Sequence, residues 1–99
     1  MIVAFSISPS GVGASVSDHV ADAVRVVRES GLPNHTDAMF TTVEGEWEEV
    51  MDVIRRAVDA VAAKAPRVGL VLKADIKPGV TDTSAAKMER LEHALGDGA

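Results

Sequence analysis

What most limits the fold of this chain is the order in which its hydrophobic period switches between two residues and about 3.6. Val3, Phe5 and Ile7 alternate with Ala4, Ser6 and Ser8, the rhythm of a half-buried first strand. From Val16 onward, Val20, Ala23, Val24 and Val27 recur at helical spacing. Ser15 and Ser17 are both candidate N-caps, and Ser15-x-x-Asp18 matches a capping box. Gly31 fits the position just past that helix, and Pro33 prevents its continuation. Residues 34–38 read as a short polar second strand and residues 39–44 as a third. Trp47, Val50, Met51, Ile54, Ala57, Val58 and Val61 then form a long helical stripe, closed by Pro66. Residues 67–76 make an apolar, β-branched fourth strand, residues 77–83 a turn, and Ser84 caps a short terminal helix carrying Met88, Leu91 and Leu95.

That order is β-α-β-β-α-β plus one helix, the split βαβ pattern of ferredoxin-like domains. The predicted fold is α+β, one domain over residues 1–99, with a four-stranded antiparallel sheet and a short C-terminal helix. Strands one and three are central in this topology and strand four flanks strand one. Both main helices cover one face of the sheet and leave the other bare.

Composition narrows the function classes. The 99 residues include no cysteine, which excludes disulfides, thiolate chemistry and cysteine-based metal sites. Apolar residues make up 46% and charged ones 25%, the balance of a globular chain. The formal charge is −5, from 15 acidic and 10 basic residues, which argues against a nucleic-acid partner. The apolar start lacks a basic flank and runs into Ser6 and Ser8, so it reads as a strand and not as a signal peptide or membrane span. A cytoplasmic location is the resulting expectation.

Strand alternation assigns the two sheet faces. Val3, Phe5, Ile7, Val68, Leu70 and Leu72 are expected to meet the helices. The open face then receives Ala4, Ser6 and Ser8, with Phe40, Thr42 and Glu44 from strand three and Val71, Lys73 and Asp75 from strand four. Such a face is either solvated, covered by a partner subunit, or a polar pocket built from Ser6, Ser8, Thr42, Glu44 and Asp75. Trp47 opens the long helical stripe and reads as core or hinge packing. Glu46, Glu48 and Glu49 suit the positive end of that helix, where carboxylates contribute about 0.3–1 kcal/mol each.

Catalytic signals are weak. His19, His35 and His93 stand at no metal-ligand spacing and read as surface histidines. No base is placed beside Ser6 or Ser8. Gly11-Val12-Gly13 lacks the remainder of a dinucleotide or phosphate-loop fingerprint. Glu44 and Asp75 could form an acid–base pair, but nothing in the sequence tunes either one.

The run "TTVEGEWEEVM" at 41–51 resembles the signature of the small prokaryotic thiamine-binding protein family, single-domain relatives of the tandem-repeat YkoF. "SISP" closing the first strand, "VSDHVADAVRVVRESGL" as the first helix and "RVGLVLKADIKPG" with the later "KM" agree with it. The resemblance implies a ferredoxin-like domain that associates through its sheet, usually into tetramers arranged as dimers of dimers. It also implies non-catalytic binding of thiamine or its hydroxymethyl-pyrimidine part; no metal and no further cofactor are expected. The matching positions are Ser6, Ser8, Thr42 and Glu44, with Asp75 as the strand-four acid.

Thiamine joins an aminopyrimidine edge to a permanently cationic thiazolium. Hydroxyls suit the edge, a carboxylate suits the amino group or the cation, and Phe40 could stack on a ring with about 0.5–2 kcal/mol of cation–π attraction. Two other readings stay open: a regulatory module of the ACT type binding an amino acid at a subunit interface, and a purely structural oligomer.

Overall fold

The computed structural model describes residues 1–14, 16–77 and 84–97. The element order is β1 (Ile2–Ser10), α1 (Val16–Glu29), β2 (Asn34–Thr36), β3 (Thr41–Glu44), α2 (Trp47–Ala62), β4 (Arg67–Asp75) and α3 (Ser84–Asp97). The strands form one antiparallel sheet in the order β2-β3-β1-β4, the ferredoxin-like arrangement. The capping role read for Ser15 and the turn read at 77–83 lie outside the described residues. So does the cap read for Ser84, whose side chain is not described.

Pairing partners share a face of the sheet, so register settles the alternation. Val3 lies between Val43 and Ala74, and Phe5 lies between Thr41 and Leu72. Both side chains are buried under the helices, as are Ile7 and Val43. From α1, Ala23 and Val27 close the core; from α2, Val50, Val53, Ile54, Ala57 and Val61 do so. Each fully buried Val or Ile contributes about 1.5–3 kcal/mol relative to exposure, which makes α2 the main lid of the sheet.

Local chemistry fixes where α2 starts. Gly45 N–H donates to the Met1 carbonyl at 3.1 Å, while the Met1 amino group donates to the Gly45 carbonyl at 3.0 Å. The next residue, Glu46, takes the N-cap position, and its N–H donates to Glu49 Oε1 at 3.2 Å. At the other end Lys64 ties the two helices together. Its Nζ bonds Asp22 Oδ2 at 2.9 Å, and its carbonyl accepts from His19 Nε2 at 3.3 Å.

Several expectations need correction. His19 is buried against α2's end and is not a surface histidine. Trp47 is half-exposed, because it sits at the first helical position, before the stripe turns inward. Leu70 and Leu72 face the helix side as expected, yet remain partly open, since β4 is an edge strand that α2 covers only in part. The terminal helix is as long as α1, at 14 residues, and is not short. Apart from an ion pair between Lys87 and Asp75, α3 has little contact with the body among the described residues. The radius of gyration is 15.5 Å, above the about 13 Å of a compact chain this long.

Candidate functional site

On the open face the residues stand in rows across the strands. Glu44 and Asp75 flank Ile2, Thr42 and Lys73 flank Ala4, Val71 stands beside Ser6 and Gly69 beside Ser8. Thr42, Glu44, Val71, Lys73 and Asp75 therefore occupy the face that alternation assigns them. Ser6 lies four positions along β1 from Ile2, a run of about 13 Å at 3.3 Å per residue. The carboxylates thus mark one end of the face and Ser8 the other, and one small molecule on this chain does not touch both.

Phe40 does not belong to that face. The expectation that it continues β3 fails because β3 begins at Thr41, and β2 likewise ends at Thr36. Asp37 is the cause. Its Oδ1 accepts the N–H of Met39 at 2.8 Å and of Phe40 at 2.9 Å, while its own N–H donates to the Phe40 carbonyl at 3.0 Å. A short carboxylate that satisfies the backbone in this way competes with strand pairing and makes a turn. The Phe40 amide, then that of Met39, hold the Asp37 carboxyl below its usual range, with a smaller push from His35.

Because β3 turns away there, β1 runs on paired with β4 alone, and a crevice of about 350 Å³ opens between β1 and the turn. Its floor comes from Phe5 to Pro9, one wall from Val16, Val20, Ala23 and Val24 of α1, and the other from Thr36 to Thr41. Thr36 and Thr41 share a hydrogen bond between their hydroxyls at 3.2 Å, which holds that wall to the sheet. Of the predicted residues, Ser6, Ser8 and Phe40 line the crevice, whereas Thr42, Glu44 and Asp75 do not.

Sequence reasoning missed Asp37, Thr36, Thr41 and the α1 wall. A signal for Asp37 was present: an aspartate two residues before a loop tip, between β-branched runs, is an Asx-turn pattern. Nothing comparable announced Val16 and Val20, which read as ordinary core positions of a helix and are instead exposed toward the crevice. Among the described residues no group of histidines and carboxylates could hold a metal ion, and no helix is long and apolar enough to cross a membrane.

The comparisons with known proteins agree with this architecture. A UPF0045 protein of Mycobacterium bovis is 57% identical over 96 residues, covering 96% of this chain and 94% of its own length. A UPF0045 protein of Methanocaldococcus jannaschii is 32% identical over 91 residues, covering 92% and 91%. Among solved structures, the DUF77 domain from Bacillus cereus superposes with a TM-score of 0.84 at 32% identity, over 90% of this chain and 86% of that one. A Thermotoga maritima protein assigned provisionally to thiamine biosynthesis or salvage superposes with a TM-score of 0.80 at 26% identity, over 91% and 96%. The family model described as thiamine-binding protein matches residues 3–92. By that match, and by its identity to the mycobacterial relative, the chain belongs to the thiamine-binding protein family.

Proposed function

We propose that this protein binds thiamine, or its hydroxymethyl-pyrimidine part, without turning it over, and that the crevice beside Ile7 receives the pyrimidine ring. The observation that carries this reading is the crevice itself, about 350 Å³ and mainly apolar, in a member of the thiamine-binding family. Small-molecule sites are typically about 300–1,000 Å³ and combine apolar walls with a few polar groups. Phe40 supplies an aromatic face for stacking, with about 0.5–2 kcal/mol more where the ligand is cationic. Ser6, Ser8, Thr36 and Thr41 line it and carry hydroxyls.

Within one chain Asp37 is the carboxylate closest in kind and place to a thiazolium bound at the crevice mouth. Glu44 and Asp75, with Thr42 between Glu44 and the crevice end, serve a ligand that reaches across to another subunit. Asp37 also favours a reading of binding without chemistry. It is the one titratable group lining the crevice among the described residues, and its main-chain bonds favour the ionised form. A general base works best with a pKa near the working pH, and Asp37 is pushed the other way.

A homo-oligomer, in the form of a dimer of dimers, completes the reading. Val71 is 61% exposed on the open face, and Met88, Leu91 and Leu95 expose an apolar stripe on α3. Exposed apolar side chains of this kind favour burial against a second copy.

Calorimetric titration with thiamine and with hydroxymethyl-pyrimidine tests the ligand, and light scattering tests the assembly. Absence of heat at millimolar ligand ends the binding reading, and a thermal-shift response to an amino acid instead supports the ACT-type alternative. Asp37→Asn and Glu44→Gln separate the charge partners. The variant that weakens thiamine more than the uncharged pyrimidine identifies the carboxylate facing the thiazolium.

A further inference from the structure

The edge of β1 that floors the crevice carries a specific pair of main-chain groups, and three observations fix which ones. Met1 and Gly45 exchange both of their backbone bonds, and the β1–β3 register continues through Val3↔Val43 and Phe5↔Thr41. In an antiparallel ladder the residues that bond a given neighbour recur every second position. Odd-numbered residues of β1 therefore aim their N–H and C=O groups toward β3, and even-numbered ones bond β4.

Pro9 agrees with this parity. It lies within β1 opposite Val68 of β4, and a proline is tolerated in a strand where its missing N–H points away from the paired side. The hairpin agrees as well. Glu44 N–H donates to the Pro33 carbonyl, so even-numbered residues of β3 serve β2 and odd ones serve β1.

The next odd position after Phe5 is Ile7, and the register would give it Met39. Met39, however, lies in the turn, where Asp37 takes its N–H. The β1–β3 register ends at Phe5↔Thr41, and among the described residues no backbone partner stands opposite Ile7 on that side. Its N–H and C=O thus face the crevice as an adjacent donor and acceptor, on a strand held from behind by β4. Buried or half-buried main-chain groups of this sort are almost always satisfied, by chain, water or ligand.

The geometry points to Ile7 as the recognition element for the ligand's pyrimidine edge. Its N–H donates to a ring nitrogen, and its C=O accepts from the neighbouring exocyclic amino group. An aminopyrimidine presents an acceptor and a donor side by side in one plane, the complement of one residue's N–H and C=O on a strand edge. Phe40 and the α1 wall then enclose the ring's faces. This assignment rests on the proposed function and deepens it. It makes the 4-amino group a specificity determinant and assigns that role to backbone, where no side-chain motif records it.

Amide hydrogen exchange followed by NMR, on the free chain and with saturating thiamine or hydroxymethyl-pyrimidine, tests it. In the free protein the Ile7 amide is expected to exchange at least tenfold faster than those of Ser6 and Ser8, which bond β4. On adding either ligand it is expected to shift and to slow by at least tenfold. An analogue with a carbonyl oxygen in place of the amino group is expected to leave Ile7 unprotected. Ligand shifts around Glu44 and Asp75 with Ile7 unchanged overturn this inference and leave thiamine binding standing. No shift anywhere with either ligand overturns both. Protection of Ile7 in the free protein also overturns it, because the edge is then occupied by chain, from this copy or another.

Discussion

From Ile2 to Phe5, β1 is paired on both edges; from Ser6 to Ser10 it is paired with β4 alone. The two halves have similar composition, apolar and small residues, and Val3 and Phe5 of the first face the same helices as Ile7 of the second. Their circumstances differ because β3 has four residues and β1 has nine. The doubly paired half is a core strand whose backbone is wholly consumed by the sheet. The singly paired half keeps the rigidity that β4 lends it and gains an edge that can recognise something. A binding site is thus made by shortening a neighbour, without any unusual residue on the strand itself.

The largest expected effect breaks the doubly paired half. Phe5 is the last residue with partners on both sides, Thr41 and Leu72, and its side chain is buried. Phe5→Ala is expected to cost about 3–5 kcal/mol, through lost transfer energy and the cavity left behind. Guanidinium denaturation measures it. A cost under about 1.5 kcal/mol would mean that the core is anchored elsewhere, and the contrast between the halves would lose its basis.

A smaller effect concerns the far end of the singly paired half. Gly11 follows β1 directly with φ +79°, and a Cβ there would come within 2.6 Å of Pro66 Cγ, just before β4 begins. Gly11→Ala therefore meets both a left-handed backbone and a close neighbour, and should destabilise by about 1–3 kcal/mol. Thermal unfolding checks this. An unchanged melting temperature would mean that Ser10 and Arg67 are loosely joined and that β4 does not hold the crevice floor at that end.

Much of the sheet was legible because one face is buried. With Val3, Phe5 and Ile7 inward, a slip of one residue would bury Ser6 and Ser8, so the parity of β1 admits a single answer, and Glu44, Thr42, Val71 and Lys73 follow from register. Phe40 was misplaced because its position depends on where β3 starts, which a side chain four residues upstream of Thr41 decides. Element ends are set by such local competitions, and hydrophobic period does not report them. Trp47 and His19 were misread for a related reason. Period places a residue on a helix face, but exposure at a helix end depends on what the neighbouring element covers. The crevice was the least legible feature, since it arises from a missing strand segment and involves Val16 and Val20, which period assigns to the core.

The smallest expected effect sharpens the contrast at the point where the halves meet. Asp37 ends β3 only while its carboxylate accepts the Met39 and Phe40 amides. Those bonds lower its folded pKa, so their contribution is complete above the unfolded value of about 3.9 and is lost as pH falls through the lower folded value. Between neutral pH and about 5 the Asp37 carboxylate stays ionised, so its bonds to the tip should persist. Below that, the Met39 and Phe40 amides should lose protection and approach their intrinsic exchange rates, while those of Val3 and Phe5, locked between two strands, keep their protection. Asp37→Asn retains an acceptor oxygen but has no proton to take up, so its tip should give a flat profile over the same range. Identical profiles in the two proteins would show that the turn holds without the carboxylate. The crevice would then owe its existence to the pairing of Thr36 with Thr41 and not to the aspartate beside it.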